Sequence, residues 1–282
     1  GRKKRVIINI APRMGKSEFS SYLFPAFFLG EYPEKKIIMG THTAGLSEDF
    51  GRRVRNLIDS DEYKELFPET LVADDQKAAG KWSTSAGGQY YAAGVGGALA
   101  GRGADLLLVD DPHNEQDIIN GNFEIFEKAY EWFTYGARTR LMPGGRVAIV
   151  QTRWHQDDLT GRVTRDMAQN DHADQYEVVE FPAILELPDP ADPDKTIEKP
   201  LWPEFWSLKE LLALREEPAV MTAYRVDGPL PEAVLRDQRL YRVREGVGHL
   251  DVARWQAVPG PSPCGEDASG DRLNRVHGVT VG

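Results

Sequence analysis

Three short stretches hold residues whose types and order could do chemistry on a phosphate. The first is Ala11-Pro12-Arg13-Met14-Gly15-Lys16-Ser17-Glu18, directly behind the β-branched run Val6 to Ile10 and ahead of a helical stretch from Glu18 to Leu29. Such a run reads as a buried parallel strand. Strand, tight loop, Gly-Lys-Ser and helix are the parts of a phosphate-binding loop. Its N–H groups and helix N-terminus cradle phosphate oxygens, Lys16 reaches the β- and γ-phosphates, and the Ser17 hydroxyl ligates Mg²⁺. The full pattern has a glycine five residues before Gly15, where this chain has Ile10. The loop therefore does not decide the matter alone.

The second stretch is the strand Ala104 to Val109, which runs into Asp110-Asp111-Pro112, 94 residues after Lys16. One carboxylate at the C-terminal end of a strand can hold a Mg²⁺ shell. The next can orient and deprotonate the water that attacks a γ-phosphate. Asp-Asp-Pro can also be a plain turn closing a strand; the Gly-Lys-Ser upstream favours the catalytic reading. The third stretch is the strand Arg146 to Thr152, tipped by Gln151-Thr152, where a hydroxyl can sense the γ-phosphate. Beyond it, His155 and Asp157 give no closed set of metal ligands, and Asp157 or Asp158 reads as a helix cap.

The elements that must position these residues alternate. Lys35 to His42 is a second strand, and Ala44 to Ile58 carries Leu46, Phe50, Val54, Leu57 and Ile58 at helical spacing. Strands alternating with helices mean a parallel sheet covered on both faces. Ligands bind at the carboxyl ends of such strands, so the motifs should face one crevice. Arg52, Arg53 and Arg55 on the second helix are either phosphate contacts for a nucleic acid or a solvated face. Two short strands, Trp82 to Thr84 and Gly87 to Gly94, precede a loop with five glycines between Gly94 and Gly103. Such density suits positive φ or close backbone approach. An aromatic helix from Phe123 to Arg140 reads as core packing, and Pro143-Gly144-Gly145 as a turn. Tyr176 to Phe181 is a further strand, followed by a Pro-rich acidic linker to about Lys199. Leu201 to Trp206 and a helix capped by Ser207 with Glu210 close the ordered pattern.

Composition sets outer bounds. The chain has 282 residues, a net charge of −10 and one cysteine, Cys264. That excludes an internal disulfide framework and fits a reducing, cytoplasmic setting. No apolar run approaches the ~18 residues of a membrane span. The acidity argues against a chain that coats nucleic acid by charge alone. Residues 1–60 nevertheless hold eleven Lys/Arg against six Asp/Glu, so a local basic face is possible. The first strand starts almost at residue 1, as in a fragment lacking its natural N-terminal part. Residues 226–282 contain no Lys, Ile, Phe or Met, too little apolar surface to offset chain entropy.

Pro12 to Glu18, the loop Gly97 to Gly103 running into Leu106 to Pro112, and Thr152 to Leu159 together resemble the large terminase subunit of tailed bacteriophages. The resemblance covers about residues 5 to 225, in the family's order. It implies an α/β P-loop NTPase with a mainly parallel central sheet flanked by helices. It further implies an ATPase domain at 1–225 and an aberrant or disordered tail at 226–282 in place of the nuclease domain. Carried over by position, Met14, Gly15, Lys16, Ser17 and Glu18 line the ATP site, and Ser17 and Asp110 hold Mg²⁺. Asp111 stands at the catalytic carboxylate, Arg13 at the loop arginine and Thr152 in the coupling motif. Met14 replaces the family's common His, and Asp111 its common Glu.

The function implied is a motor subunit that hydrolyses ATP to move double-stranded DNA into a procapsid. It would act in a homo-oligomeric ring on the portal protein with the small terminase subunit, in the cytoplasm of the infected bacterial host. No membrane is involved, and no DNA cleavage is expected. Two other readings stand beside it: a nucleotide-gated module binding DNA or a partner without turnover, and an inactive fragment of a degraded prophage gene. Paired Asp110-Asp111 favours hydrolysis over the binding module, which needs only one metal carboxylate.

Overall fold

The computed structural model describes residues 4–216. The expected domain boundary near 225 and the tail after it lie outside the described residues. Strand β1 (Arg5–Ile10) leads into the loop and then a π-helical stretch, Glu18–Leu23, continued by α1 (Phe24–Glu31). Next come β2 (Lys36–Thr41), α2 (Ala44–Ile58), α3 (Asp61–Leu66), β3 (Val72–Ala78), β4 (Lys81–Thr84), β5 (Gln89–Gly94) and β6 (Ala104–Asp110). Helices α4 (Glu115–Ile119) and α5 (Glu124–Glu131) precede a second π-helical stretch, Trp132–Ala137, and a short 3₁₀ turn. The chain continues through β7 (Leu141–Gln151), α6 (Leu159–Gln169), β8 (Glu177–Phe181), the hairpin β9 (Ile184–Asp189) and β10 (Asp192–Pro200), and α7 (Leu208–Glu216).

Eight strands form one sheet in the order β3-β4-β5-β2-β6-β7-β1-β8. From β5 to β8 every pairing is parallel, and β4 and β3 add an antiparallel edge. The expected strands β2, β6, β7 and β1 are thus contiguous, and the mainly parallel sheet is as the sequence pattern implies. Alternation along the strands feeds two cores. Ile38, Leu107, Val109, Val147 and Ile149 face Phe133, Leu159 and Val163. Ile37, Met39, Leu106, Leu108 and Val150 face Phe28, Leu29, Phe50, Val54 and Ile58. Both faces are dry, as a parallel sheet requires.

Four details depart from the expectation. The first helix is part π-helical, with the Phe24 N–H donating to Phe19 O. Strand β7 begins before the Pro-Gly-Gly turn: Ala104 pairs with Leu141 and Leu106 with Arg146, so residues 142–145 loop out of the ladder. The aromatic helix is broken into α5 and the π-helical stretch, yet Phe126, Trp132 and Phe133 are buried as core. Residues 184–200, expected as linker, form an antiparallel hairpin. Its acidic and proline residues hid a period-two pattern, because each strand is only partly covered. Helices α3 and α4 and strand β3 were also not anticipated as elements, whereas α6 starts directly after Asp158, one of the two cap candidates.

Candidate active site

The parallel strands aim their C-terminal ends at one rim, and the loop after β1 meets the carboxylates after β6 there. Gly15 at φ +77° turns the loop into the helix, and Arg13 also sits at a positive φ of 60°. Lys16 Nζ lies 2.7 Å from Asp111 Oδ2. Asp111 is held on every side. Its second oxygen accepts from the Thr152 N–H at 2.9 Å, its own N–H donates to Val150 O at 2.9 Å, and its carbonyl accepts from the His42 N–H at 3.2 Å. Its φ of +40° is a region in which a side chain is uncommon, though Asp tolerates it better than most. A backbone kept there by the ends of its two neighbouring strands, β2 and β7, is a fixed mounting for one carboxylate.

Asp110 is buried. Its Oδ2 accepts from the Ser21 hydroxyl at 2.6 Å, while Oδ1 has no hydrogen-bond partner among the described residues. Burial, and after it the charge of Asp111, push this carboxyl up to about 6, against the pull of the Ser21 and Ser17 hydroxyls and Lys16. A buried carboxylate oxygen without a donor, beside a serine and a lysine, is the environment a hard cation completes. Mg²⁺ takes one or two carboxylates and fills its shell with water and phosphate oxygens. No cluster of three or more His, Cys, Asp or Glu residues that could hold a metal occurs among the described residues. Ser17 and Asp110 suit a metal shared with a phosphate, not a closed protein cage.

The remaining sequence-derived residues fall into place unevenly. Met14 is buried against Ile10, Ala11, Ala183 and Leu211, so it anchors the loop and leaves the phosphate side to the backbone. Glu18 is exposed and pairs with Arg53 of α2 at 2.8 Å. Arg13 is exposed and pairs with no carboxylate among the described residues. The Thr152 hydroxyl donates to Ile10 O at 3.3 Å. It is thus turned to the end of β1, and its backbone N–H, not its side chain, addresses Asp111. Arg52 and Arg53 are engaged by Asp49 and Glu18, as on a solvated helix face.

No family model and no curated protein matches the chain. Solved structures it is similar to include phage large terminases. One is the large terminase ATPase domain of Thermus phage P74-26, at 17% identity and a TM-score of 0.48, covering 80% of this chain and 89% of that one. Another is the large terminase of a thermophilic bacteriophage, at 12% identity and a TM-score of 0.44, covering 76% of this chain and 45% of that one. The same thermophilic phage protein in complex with ATP-γ-S gives 15% identity and a TM-score of 0.39, over 64% of this chain and 40% of that one. The chain thus spans less than half the length of that terminase. The chemistry assigned to the site rests on its own geometry.

Sequence reasoning missed Ser21, Arg153 and His113 around this rim, whereas Asp158 was one of its two helix-cap candidates. Ser21 follows Ser17 by four positions, so both lie on one helix face toward Asp110; that spacing was the available signal. Arg153 is fully buried, its Nε donating to Asp158 Oδ2 at 2.8 Å. Asp158 caps α6 through the Gly161 N–H and also accepts from the Trp154 N–H. His113 is buried, and its Nε2 accepts from the Leu159 N–H at 2.9 Å. Burial pushes its imidazole down to about 4, so the ring is neutral near pH 7. His155 is stacked on Phe123 and Phe126, and its Nδ1 accepts from the Asp157 N–H, which employs the residue without a metal.

Proposed function

We propose that this chain is the ATP-hydrolysing motor subunit that moves double-stranded DNA into a procapsid. The observation that carries the reading is the convergence of Lys16, Asp111 and the half-satisfied Asp110 on one rim of a parallel sheet. Lys16 is the cation for the β- and γ-phosphates, released from Asp111 as phosphate takes its place. Ser17 and Asp110 would hold Mg²⁺, which neutralises phosphate charge when bound. Asp111, fixed at its strained turn, orients the attacking water and accepts its proton. Arg13, exposed and without a carboxylate partner among the described residues, stands at the loop to meet charge that develops in the transition state.

Thr152 links the two ends of the machine. Its N–H is held by Asp111, and the next residue, Arg153, is locked to the cap of α6. A change at Asp111 is therefore felt at β7 and α6, a short route from hydrolysis to movement. The DNA, the portal, the small subunit, the ring and the host cytoplasm belong to this proposal through the resemblance of the motifs. No described helix is long and apolar enough to cross a membrane.

The test is nucleotide binding and phosphate release by the whole chain, with and without linear double-stranded DNA. Lys16→Ala should lose Mg·ATP binding. Asp111→Asn should keep binding and lose about 10²- to 10⁴-fold in turnover, the span attributed to a general base. Binding without turnover in the unaltered chain would instead favour the nucleotide-gated module. Equal loss of binding in both variants would make Asp111 a metal ligand.

A further inference from the structure

Beside the phosphate loop, on the side away from the carboxylates, two aromatic rings lie open to solvent. Strand β1 has β7 and then β6 on one side and β8 on the other. Asp110 ends β6 and Asp111 follows it, so the γ end of a nucleotide must point that way. The nucleoside end then leaves the loop on the β8 side, where the chain after β8 is anchored to the loop itself. The Leu201 N–H donates to Ala183 O at 2.8 Å, and Leu201 and Trp206 pack with Ile10, Ala11 and Met14. From that anchored segment Trp202 reaches the loop: a Cβ built on Gly15 would lie 3.8 Å from its Cζ3 atom and 3.9 Å from Cε2 of Phe19. Trp202 stacks on Phe205 with centroids 4.9 Å apart and planes 23° from parallel. Yet Trp202 is 42% exposed and Phe205 57% exposed, whereas Trp206 in the same turn is packed.

We infer that Trp202, backed by Phe205, is the platform on which the base of the bound nucleotide stacks. The inference rests on the nucleotide reading of the loop and adds the subsite for the base. An isolated exposed aromatic needs no explanation. This one is half of an ordered stack, lies beside the position a Cβ would take on the loop glycine, and stands where the nucleoside must leave the phosphates. Stacking uses the face of the ring that Phe205 does not cover, and every base has a π-face to offer. A purine, with the larger face, is the base class that suits it. Phe19 approaches the same Cβ position of Gly15, so the two rings flank one side of the loop glycine.

The experiment compares Mg·ATP with inorganic tripolyphosphate by calorimetric titration of the whole chain. Tripolyphosphate has the phosphates and lacks the base, so it reads the loop without the platform. Trp202→Ala should weaken Mg·ATP binding about 10- to 100-fold and leave tripolyphosphate within about twofold of the unaltered chain. Trp202→Phe, which keeps a flat ring, should restore most of the Mg·ATP affinity. An Mg·ATP affinity unchanged or tightened in Trp202→Ala would overturn the inference. So would an equal loss for both ligands that Trp202→Phe repairs, since the ring would then be supporting the loop. Lys16→Ala separates the two readings. If it leaves tripolyphosphate binding intact, the phosphate-loop reading fails, whatever the tryptophan variants do.

Discussion

Two buried titratable groups three residues apart push against each other. Asp110 is raised to about 6 by burial and by Asp111, and His113 is lowered to about 4 by burial. The folded protein holds the Asp110 proton more tightly than the unfolded chain, so acid below pH 6 stabilises through Asp110 down to its unfolded value. The folded protein refuses the His113 proton, so stability from His113 is complete above about 6.5 and is lost as pH falls toward 4. Each shift corresponds to about 3 kcal/mol, and the two oppose each other in one pH window. Protonation of His113 would also break the bond that its Nε2 accepts from Leu159. Asp110→Asn removes one side of the balance. In metal-free urea unfolding the variant should exceed the unaltered chain in stability at pH 7 by about 3 kcal/mol. That advantage should vanish by pH 4. A variant profile parallel to the unaltered one would show that Asp110 is not the raised carboxyl.

Elements around the rim are tied by a few polar residues with no spare partners. Asp158 is the clearest case: it caps α6, neutralises Arg153 and takes the Trp154 N–H, while both charged side chains are fully buried. Removing one partner of a buried pair leaves the other charge without compensation, which costs about 3–5 kcal/mol. Asp158→Ala should therefore lower the urea midpoint sharply. Asp158→Asn, which keeps a cap oxygen, should recover part of the loss. A midpoint unmoved by Asp158→Ala would mean that Arg153 finds another acceptor, and the proposed route from Asp111 to α6 would lose its anchor. The π-helical stretch Glu18–Leu23 acts at the same scale. It lies directly behind the loop, in the position where such bulges often mark functional sites, and it carries Ser21 to Asp110.

At the scale of the molecule, six parallel strands share one chemical rim, and nothing described offers a second. A two-metal nuclease needs several carboxylates that hold two ions about 3.5–4 Å apart. No cluster of three or more potential metal ligands occurs among the described residues. The acidic residues beyond them, such as Asp251, Asp267 and Asp271, stand in Gly- and Pro-rich sequence with no alternating apolar pattern to build a rigid scaffold. Plasmid DNA incubated with the whole chain and Mn²⁺ or Mg²⁺ should stay intact. Metal-dependent cutting that survives repurification would reveal a nuclease site unread in the tail.

The strands of the sheet were legible because each core strand is a short β-branched or leucine run, and both faces of a parallel sheet are dry. Val6 to Ile10, Leu106 to Val109 and Val147 to Val150 need no partner to be recognised. That Lys16 and Asp111 meet at one rim was legible because each stands just past the C-terminal end of a strand in one parallel sheet. The hairpin from Ile184 to Pro200 was not, since its polar strands are set by pairing with each other and not by burial. Nor was the part played by Thr152: its type suggested a hydroxyl contact, and only the fold turned that hydroxyl to Ile10 and its N–H to Asp111. Arg153 looks like a surface charge in a chain with 28% charged residues, and Asp158 like a plain helix cap. Their burial is decided by the packing of β7 against α6, and Trp202 meets Gly15 only because β8 closes beside β1. Local types and periods determine which strands form and which groups can react; contacts between residues far apart in the chain decide which atoms of those groups face the site.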